Sequence, residues 1–458
     1  MFEKIAVIII VNLALYLKTL RYKFVSDDFS VWKNPPKTKN QWHMRWLQFI
    51  GQLKRQSTAF IPVWDKGRLH MGRIPSEEQE HLLALTLHIV LCILIYFAFG
   101  RNMVSFVAAL LYSTNPANNQ GTIWPGGRGY VLPAIGLMLT LSLPYIAPLS
   151  LFFCTSFTVG FLAPLALVGS NKAILLAILP IVWFLHRKKF YTAVKSKHDT
   201  ESFTEDRTFH PRKIILGIKT FGFYLALCII PFKITFYHNF LQSCAGNIIM
   251  RKRAYSLCKF FWIGLSTIVA WFTYIYLNGW DTYAWAMFAF MITIVPFCNL
   301  RRANQEIAER FTALPNIFLM YLLAQIIAAY PIAVTAFVIF YATRTFYTLI
   351  IYQDEYYITE MAIIEDQHAW WAWHCRAMKR WETKSYREAL ILWVMALRIS
   401  PKEFKLLMNI ATVLRYLRND KEADHYLKLA SENIVEGQEK ESWVFIKNHK
   451  AGKLPILL

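Results

Sequence analysis

Apolar runs recur along this chain from Ile5 to Tyr352, separated by polar or basic loops. A segment that leaves water must satisfy its own backbone hydrogen bonds, so it becomes a helix or joins a closed barrel. A barrel needs short strands of alternating residues, and these runs are continuous. The fold class is therefore all-α, a polytopic transmembrane helical bundle. Composition agrees: 17% of residues are charged, against roughly a quarter in soluble domains. Spans are expected at 5–20, 82–99, 103–115, 130–147, 149–167, 172–186, 214–235, 257–278, 283–299, 314–330 and 332–352, about eleven helices.

The net charge of +21 would suggest a nucleic-acid partner in a soluble protein. Here many of the Lys and Arg residues lie in loops between apolar runs, where they act as topology signals and contacts for anionic lipid headgroups. No aromatic-interleaved basic domain is present, so no nucleic acid is expected. The seven cysteines form no CxxC pair, so no zinc or iron–sulfur site is expected. Cys244 and Cys258 share one outer loop, and the sequence leaves open whether they pair. Met1-Phe2-Glu3-Lys4 precedes an apolar run without a small-residue cleavage site, which reads as an uncleaved first span.

The long Lys/Arg-rich stretch from His186 to Lys213 is expected in the cytoplasm. Counting spans from it puts the N-terminus inside. It puts the loop carrying Asp27 and Asp28, the loops 115–128, 236–257 and 300–313, and the C-terminal tail outside. Chemically interesting loops thus share one face. Residues 40–54 mix Trp42, Trp46 and Phe49 with Arg45 and Lys54, the pattern of an interfacial amphipathic helix or of a loop helix packed on the protein. Arg251-Lys252-Arg253 and Arg301-Arg302 stand outside against the topology bias. An anionic ligand explains them, as do outer-leaflet headgroups.

After Tyr352 the composition changes. Ala377 is matched by Ala411, Arg387-Glu388-Ala389 by Lys421-Glu422-Ala423, and Ala396 by Ala430, each 34 residues apart. This is the tetratricopeptide period, with small residues where paired helices approach closely. The chain divides into a transmembrane domain at 1–352 and a short TPR-like helical array at 353–458. Such an array is either a packing platform or a surface for a protein or peptide.

Several motifs fall in a fixed order. Phe24-x-x-Asp27-Asp28 precedes Asn34-Pro35. Gly72 and Pro75 lead to His81 and His88, with Ala84 between them. Asn115-Pro116-Ala117-Asn118-Asn119-Gln120 precedes Trp124, Gly127 and Arg128. Asn299 and Asn304 precede Ala308-Glu309-Arg310-Phe311-Thr312-Ala313-Leu314-Pro315. Taken singly, each also fits a structural role: an acidic turn, a packed histidine pair, an interfacial Trp or a local ion pair.

Together, over about residues 1 to 435, they resemble the protein O-mannosyltransferases that carry transmembrane helices followed by tetratricopeptide repeats, within the GT-C glycosyltransferase superfamily. The chain departs from that pattern where Asn115 and Asn118 replace His and Gln120 replaces Glu. Ala84 replaces an Asn, and the family's Lys-Glu pair has only Asn171-Lys172 as its nearest stretch. Amides keep hydrogen bonding but lose charge and basicity.

The resemblance implies transfer of a mannose-like sugar from a polyprenyl- or dolichyl-phosphate donor to Ser/Thr hydroxyls of proteins on the extracytoplasmic side. Asp27 is the expected base, with Asp28 orienting the acceptor or sharing the role. Arg310, Arg128, Arg251 and Arg253 are the expected contacts of the donor phosphate. His81, His88, Asn115, Asn118, Gln120, Trp124 and Glu309 are expected to line the substrate site. No metal or cofactor is expected, the lipid-linked sugar being a substrate. The expected partners are membrane lipids, that donor and an acceptor protein held by the tail. The expected location is a bacterial inner membrane, or the endoplasmic reticulum in a eukaryote. Two alternatives remain: a GT-C enzyme with a glycan or lipid acceptor, and a non-catalytic membrane scaffold with a TPR binding surface.

Overall fold

The computed structural model describes residues 1–25, 76–155, 163–181, 212–236, 238, 256–298, 300, 307–434, 444 and 446–449. Among them all regular structure is helical and there is no strand. The acidic pair, Asn34-Pro35, the 40–54 segment, Gly72, Pro75, the basic stretch 187–211, Cys244, Arg251–Arg253, Asn299, Arg301-Arg302 and Asn304 lie outside the described residues.

Among the described residues ten α-helices of nine or more residues run before residue 349. They are α1 (Phe2–Tyr16), α2 (Glu77–Ala98), α3 (Met103–Thr114), α4 (Arg128–Ser142), α5 (Ala147–Thr155), α6 (Arg212–Ile229), α7 (Lys259–Asn278), α8 (Thr282–Ile294), α9 (Pro315–Ile327) and α10 (Pro331–Thr348). Their starts carry the expected chemistry. Ser76 caps α2 by accepting the Gln79 amide at 3.2 Å, ahead of Glu77, Glu78 and Glu80, where carboxylates favour the positive end of the helix dipole. Asn102 caps α3 through the Ser105 amide at 2.8 Å, and Asp281 caps α8 through Ala284 at 2.9 Å. Gly279, with φ of +78°, ends α7.

Among the described residues three helices are long and apolar enough to cross a membrane: Glu77–Ala98, Lys259–Asn278 and Pro331–Tyr352. Met103–Thr114, Thr282–Phe297 and Pro315–Ile327 are apolar but shorter. Each stretch expected as a span contains helix, but the described part of 163–181 runs mainly as 3₁₀ turns. Pro164 and Gly169, the latter with φ of +77°, interrupt it.

The core centres on α3, which packs against α1, α2, α9 and α10 and is buried from Val107 onward. At the other extreme, only 6% of the apolar window of α7 is buried, and Trp262, Val269, Phe272 and Tyr276 point outward. An apolar face of that extent suits lipid rather than water. What holds α7 is α6. Gly222 and Gly264 sit where the two backbones nearly touch, and a Cβ at either would fall on a carbonyl of the other helix, Phe260 or Ile218.

Further helices follow among the described residues: α11 (Glu355–Glu365), α12 (Trp370–Glu382), α13 (Tyr386–Ile399), α14 (Phe404–Tyr416) and α15 (Asp420–Glu432). The starts of α12 and α14 (370, 404) and of α13 and α15 (386, 420) are each 34 residues apart, so the helices carry the period seen in the sequence. Ala377, Ala389, Ala396, Ala411, Ala423 and Ala430 are all fully buried. Trp393 fills the centre of the first pair and donates its Nε1 proton to Nδ1 of His374 at 2.9 Å.

Candidate functional site

The segment between α3 and α4 is polar yet buried. Pro116 cannot continue α3, so the chain turns at Asn115 and re-enters as 3₁₀ and a single α-turn, Asn119–Ile123. Its side chains replace the missing backbone bonds. Asn115 Oδ1 accepts the Ala117 amide at 2.9 Å, and its Nδ2 donates to the Cys228 carbonyl at 2.6 Å. Asn118 donates to the Tyr112 carbonyl at 2.7 Å and accepts from Asn316 at 3.0 Å. Asn119 accepts from Tyr16 at 3.2 Å and donates to Thr348 at 3.0 Å.

The second segment, Ala308–Pro315, lies directly against this one. The Arg310 amide donates to Oε1 of Gln120 at 2.9 Å, while Nε2 of Gln120 donates to the Phe236 carbonyl at 3.2 Å. Thr312 donates to the Ala117 carbonyl at 2.8 Å, and Tyr112 to the Ala313 carbonyl at 2.6 Å. The two stretches chosen from the sequence thus form one buried block.

Arg310 is 4% exposed. Its Nε donates to the Tyr130 hydroxyl at 3.2 Å, and its guanidinium lies 5.3 Å from the Trp124 ring and 5.1 Å from Phe311. It borders a cleft whose other walls are Tyr130, Pro133, Phe297, Phe311 and Leu314. The cation thus lies against aromatic faces, beside a cleft of about 10 Å³, room for roughly one water molecule. Trp124 also donates its Nε1 proton to the Val25 carbonyl at 3.3 Å. Asp27 and Asp28 follow Val25 by two and three residues. Phe24 is tied alongside, its amide donating to Glu77 at 3.2 Å.

Glu309 is fully buried and points away from that cleft. Its Oε1 accepts the Thr235 amide at 2.5 Å and its Oε2 accepts from Tyr352 at 2.7 Å. Nε2 of His238 lies 3.5 Å from Oε1, an ion-pair distance too long for a good hydrogen bond. Nδ1 of His238 donates to Glu365 at 2.9 Å. Burial alone would lower the pKa of His238, but Glu365 and Glu309 outweigh it and raise it to about 9. Burial pushes the Glu309 carboxyl up, against the pull of His238, Tyr352 and the Thr235 amide.

The remaining expected residues lie to the α2 side. His81 donates from Nδ1 to the Ile123 carbonyl at 2.9 Å. The Thr122 hydroxyl gives its own proton to the Asn118 carbonyl at 2.9 Å, so it accepts from Nδ1 of His88 at 3.0 Å. Arg128 forms a buried ion pair with Glu80 and donates from Nε to the Pro125 carbonyl at 3.0 Å. Asp27, Asp28, Arg251 and Arg253 lie outside the described residues. Cys258 is a free thiol. The sequence reading passed over His238, Glu365, Tyr352, Glu80 and Asn316. Only Glu80, beside His81, and Asn316, directly after the Leu314-Pro315 motif, carried a local signal.

No protein-family model, curated protein or solved structure matches this chain in comparisons with known proteins.

Proposed function

We propose that the chain is a membrane glycosyltransferase that transfers a mannose-like sugar from a polyprenyl- or dolichyl-phosphate carrier to Ser or Thr hydroxyls of proteins on the extracytoplasmic side. One relationship supports this above all: Trp124 lies against the Arg310 guanidinium and holds the Val25 carbonyl, so the chain entering the acidic pair is moored beside a cation in an apolar cleft. In this reading the acceptor oxygen attacks the anomeric carbon as Asp27 takes its proton and Asp28 orients it. The bond from that carbon to the phosphate oxygen breaks, and the carrier phosphate leaves toward Arg310.

The four repeating helices of the tail are read as a TPR-like array that presents the acceptor. The bundle is read as GT-C-like, in a bacterial inner membrane or the endoplasmic reticulum, with its N-terminus in the cytoplasm. A transfer assay with polyprenyl-phosphate mannose and a Ser/Thr-rich acceptor tests the proposal. Wild type should transfer, and Asp27→Asn or Arg310→Gln in folded protein should abolish transfer. Transfer that survives both substitutions would remove the assigned roles.

A second reading, a non-catalytic scaffold, is favoured by one observation. Asn115, Asn118 and Gln120 are buried and spend their amides on partners within the chain, and none can ionise. Failure of transfer with every polyprenyl-phosphate sugar would favour it.

A further inference from the structure

The tail reaches the Arg310 cleft through one buried imidazole. His238 follows α6 in sequence and is 3% exposed. Three contacts tie it to two separate parts of the chain. Its backbone amide donates to the Ile307 carbonyl at 3.2 Å, Nδ1 donates to Glu365 at 2.9 Å, and Nε2 faces Glu309 at 3.5 Å. The Phe223 ring packs on it edge-on at 4.8 Å. Glu365 is the last residue of α11, the helix that joins the bundle to α12. Glu309 immediately precedes Arg310, whose own amide is held by Gln120.

We propose that His238 is a positioning residue that makes the setting of Arg310 depend on the C-terminal helices. Its imidazolium is the counter-charge that lets Glu309 remain a buried carboxylate. Glu309 in that state accepts from Thr235 and Tyr352 and fixes the turn from which Arg310 departs. Removing Glu365 takes away the partner of Nδ1 and half of the negative charge that keeps the ring protonated. A neutral ring leaves Glu309 as an uncompensated buried charge, so it must take a proton or move. Either way the Glu309–Thr312 turn loses an anchor on the side opposite Gln120. The arrangement couples α11 to the cleft along a chain of direct contacts. It depends on the function proposed above only in treating Arg310 as the anion contact.

The test uses the full-length protein in nanodiscs. Hydrogen exchange of peptides covering 307–314 is followed in wild type, Glu365→Gln, Glu365→Ala and Arg376→Ala. The last substitution breaks the Arg376–Glu360 pair, which also joins α11 to α12 but does not touch His238. Binding of undecaprenyl phosphate is followed in parallel by tryptophan fluorescence. Both Glu365 variants should speed exchange in 307–314 at least tenfold and weaken binding at least fivefold, with Arg376→Ala within twofold of wild type. Unchanged exchange in both Glu365 variants would overturn the proposal. So would an equal effect of Arg376→Ala, which would mean that general docking of α11 sets the turn. If exchange responds as expected while wild type binds no undecaprenyl phosphate, the positioning role stands and the lipid-phosphate reading of Arg310 falls.

Discussion

The side chain of Gln120 and the backbone amide of Arg310, 190 residues apart in sequence, meet at 2.9 Å in the buried centre of the bundle. The same amide group donates from Nε2 to the Phe236 carbonyl. Gln120 is therefore required as both acceptor and donor, a pairing that a carboxylate cannot supply. Gln120→Glu should set an oxygen against the Phe236 carbonyl and cost about 1–3 kcal/mol. The measurement is the thermal midpoint in detergent. An unchanged or raised midpoint would show that the block accepts the acid.

Arg128 and Glu80 form an ion pair with both side chains almost wholly buried. Removing one partner should cost about 3–5 kcal/mol, because the other charge stays behind without its counterpart. Arg128→Met and Glu80→Gln should each lower the thermal midpoint strongly, and the double substitution should lower it less than the sum of the two. Additive losses would mean that the two residues act independently.

Gly222 and Gly264 allow α6 and α7 to pack backbone to backbone. Gly222→Leu or Gly264→Leu should force the helices apart and cost about 1–3 kcal/mol or more. Crosslinking between cysteines introduced on facing sides of the pair should fall several-fold. Undiminished crosslinking would show that the contact tolerates bulk.

Two buried histidines should respond to pH in opposite directions. Burial among apolar neighbours, with some help from Lys405, lowers the pKa of His374 to about 4. Folding then favours its neutral form, which accepts from Trp393. Its contribution is full above the unfolded value near 6.5 and is lost as pH falls through 4, up to about 3 kcal/mol. For His238, raised to about 9, the contribution is full below that unfolded value and is lost as pH rises through 9. Hydrogen exchange, corrected for intrinsic rates, should therefore quicken in α12–α13 on acidification and in 307–314 on alkalinisation. His374→Gln should remove much of the acid response. An acid response that persists in this variant would place it elsewhere.

Helices were legible because each apolar run closes its own hydrogen bonds and needs no distant partner. The repeat was legible because the small residues that let α12 pack on α13 and α14 on α15 recur at the same place in each pair, as Ala377 and Ala411 do. Membrane crossing was less so. Hydropathy marks α3 and α9 as apolar, but they are 12 and 13 residues long, short of the roughly 20 that span a bilayer. It also passed over Pro164 and Gly169, which interrupt the region. Asn115, Gln120, Trp124, Glu309 and Arg310 were legible as neighbours because their motifs stand in a recognisable order. The His238–Glu365 contact was not, because the two residues lie 127 positions apart in stretches without a motif.

The joint between the Asn115–Arg128 and Ala308–Pro315 segments bears on the biosynthesis of the chain. Gln120, Asn118, Tyr112 and Ala117 leave the ribosome well before Arg310, Asn316, Ala313 and Thr312, the residues they bond. At about 5–20 residues per second the gap lasts roughly 10–40 s. For that interval the polar stretch between α3 and α4 has to be satisfied by water or a chaperone. Slowing translation after α4, or removing α9, should therefore expose the early segment to proteolysis and quality control before any later defect is felt.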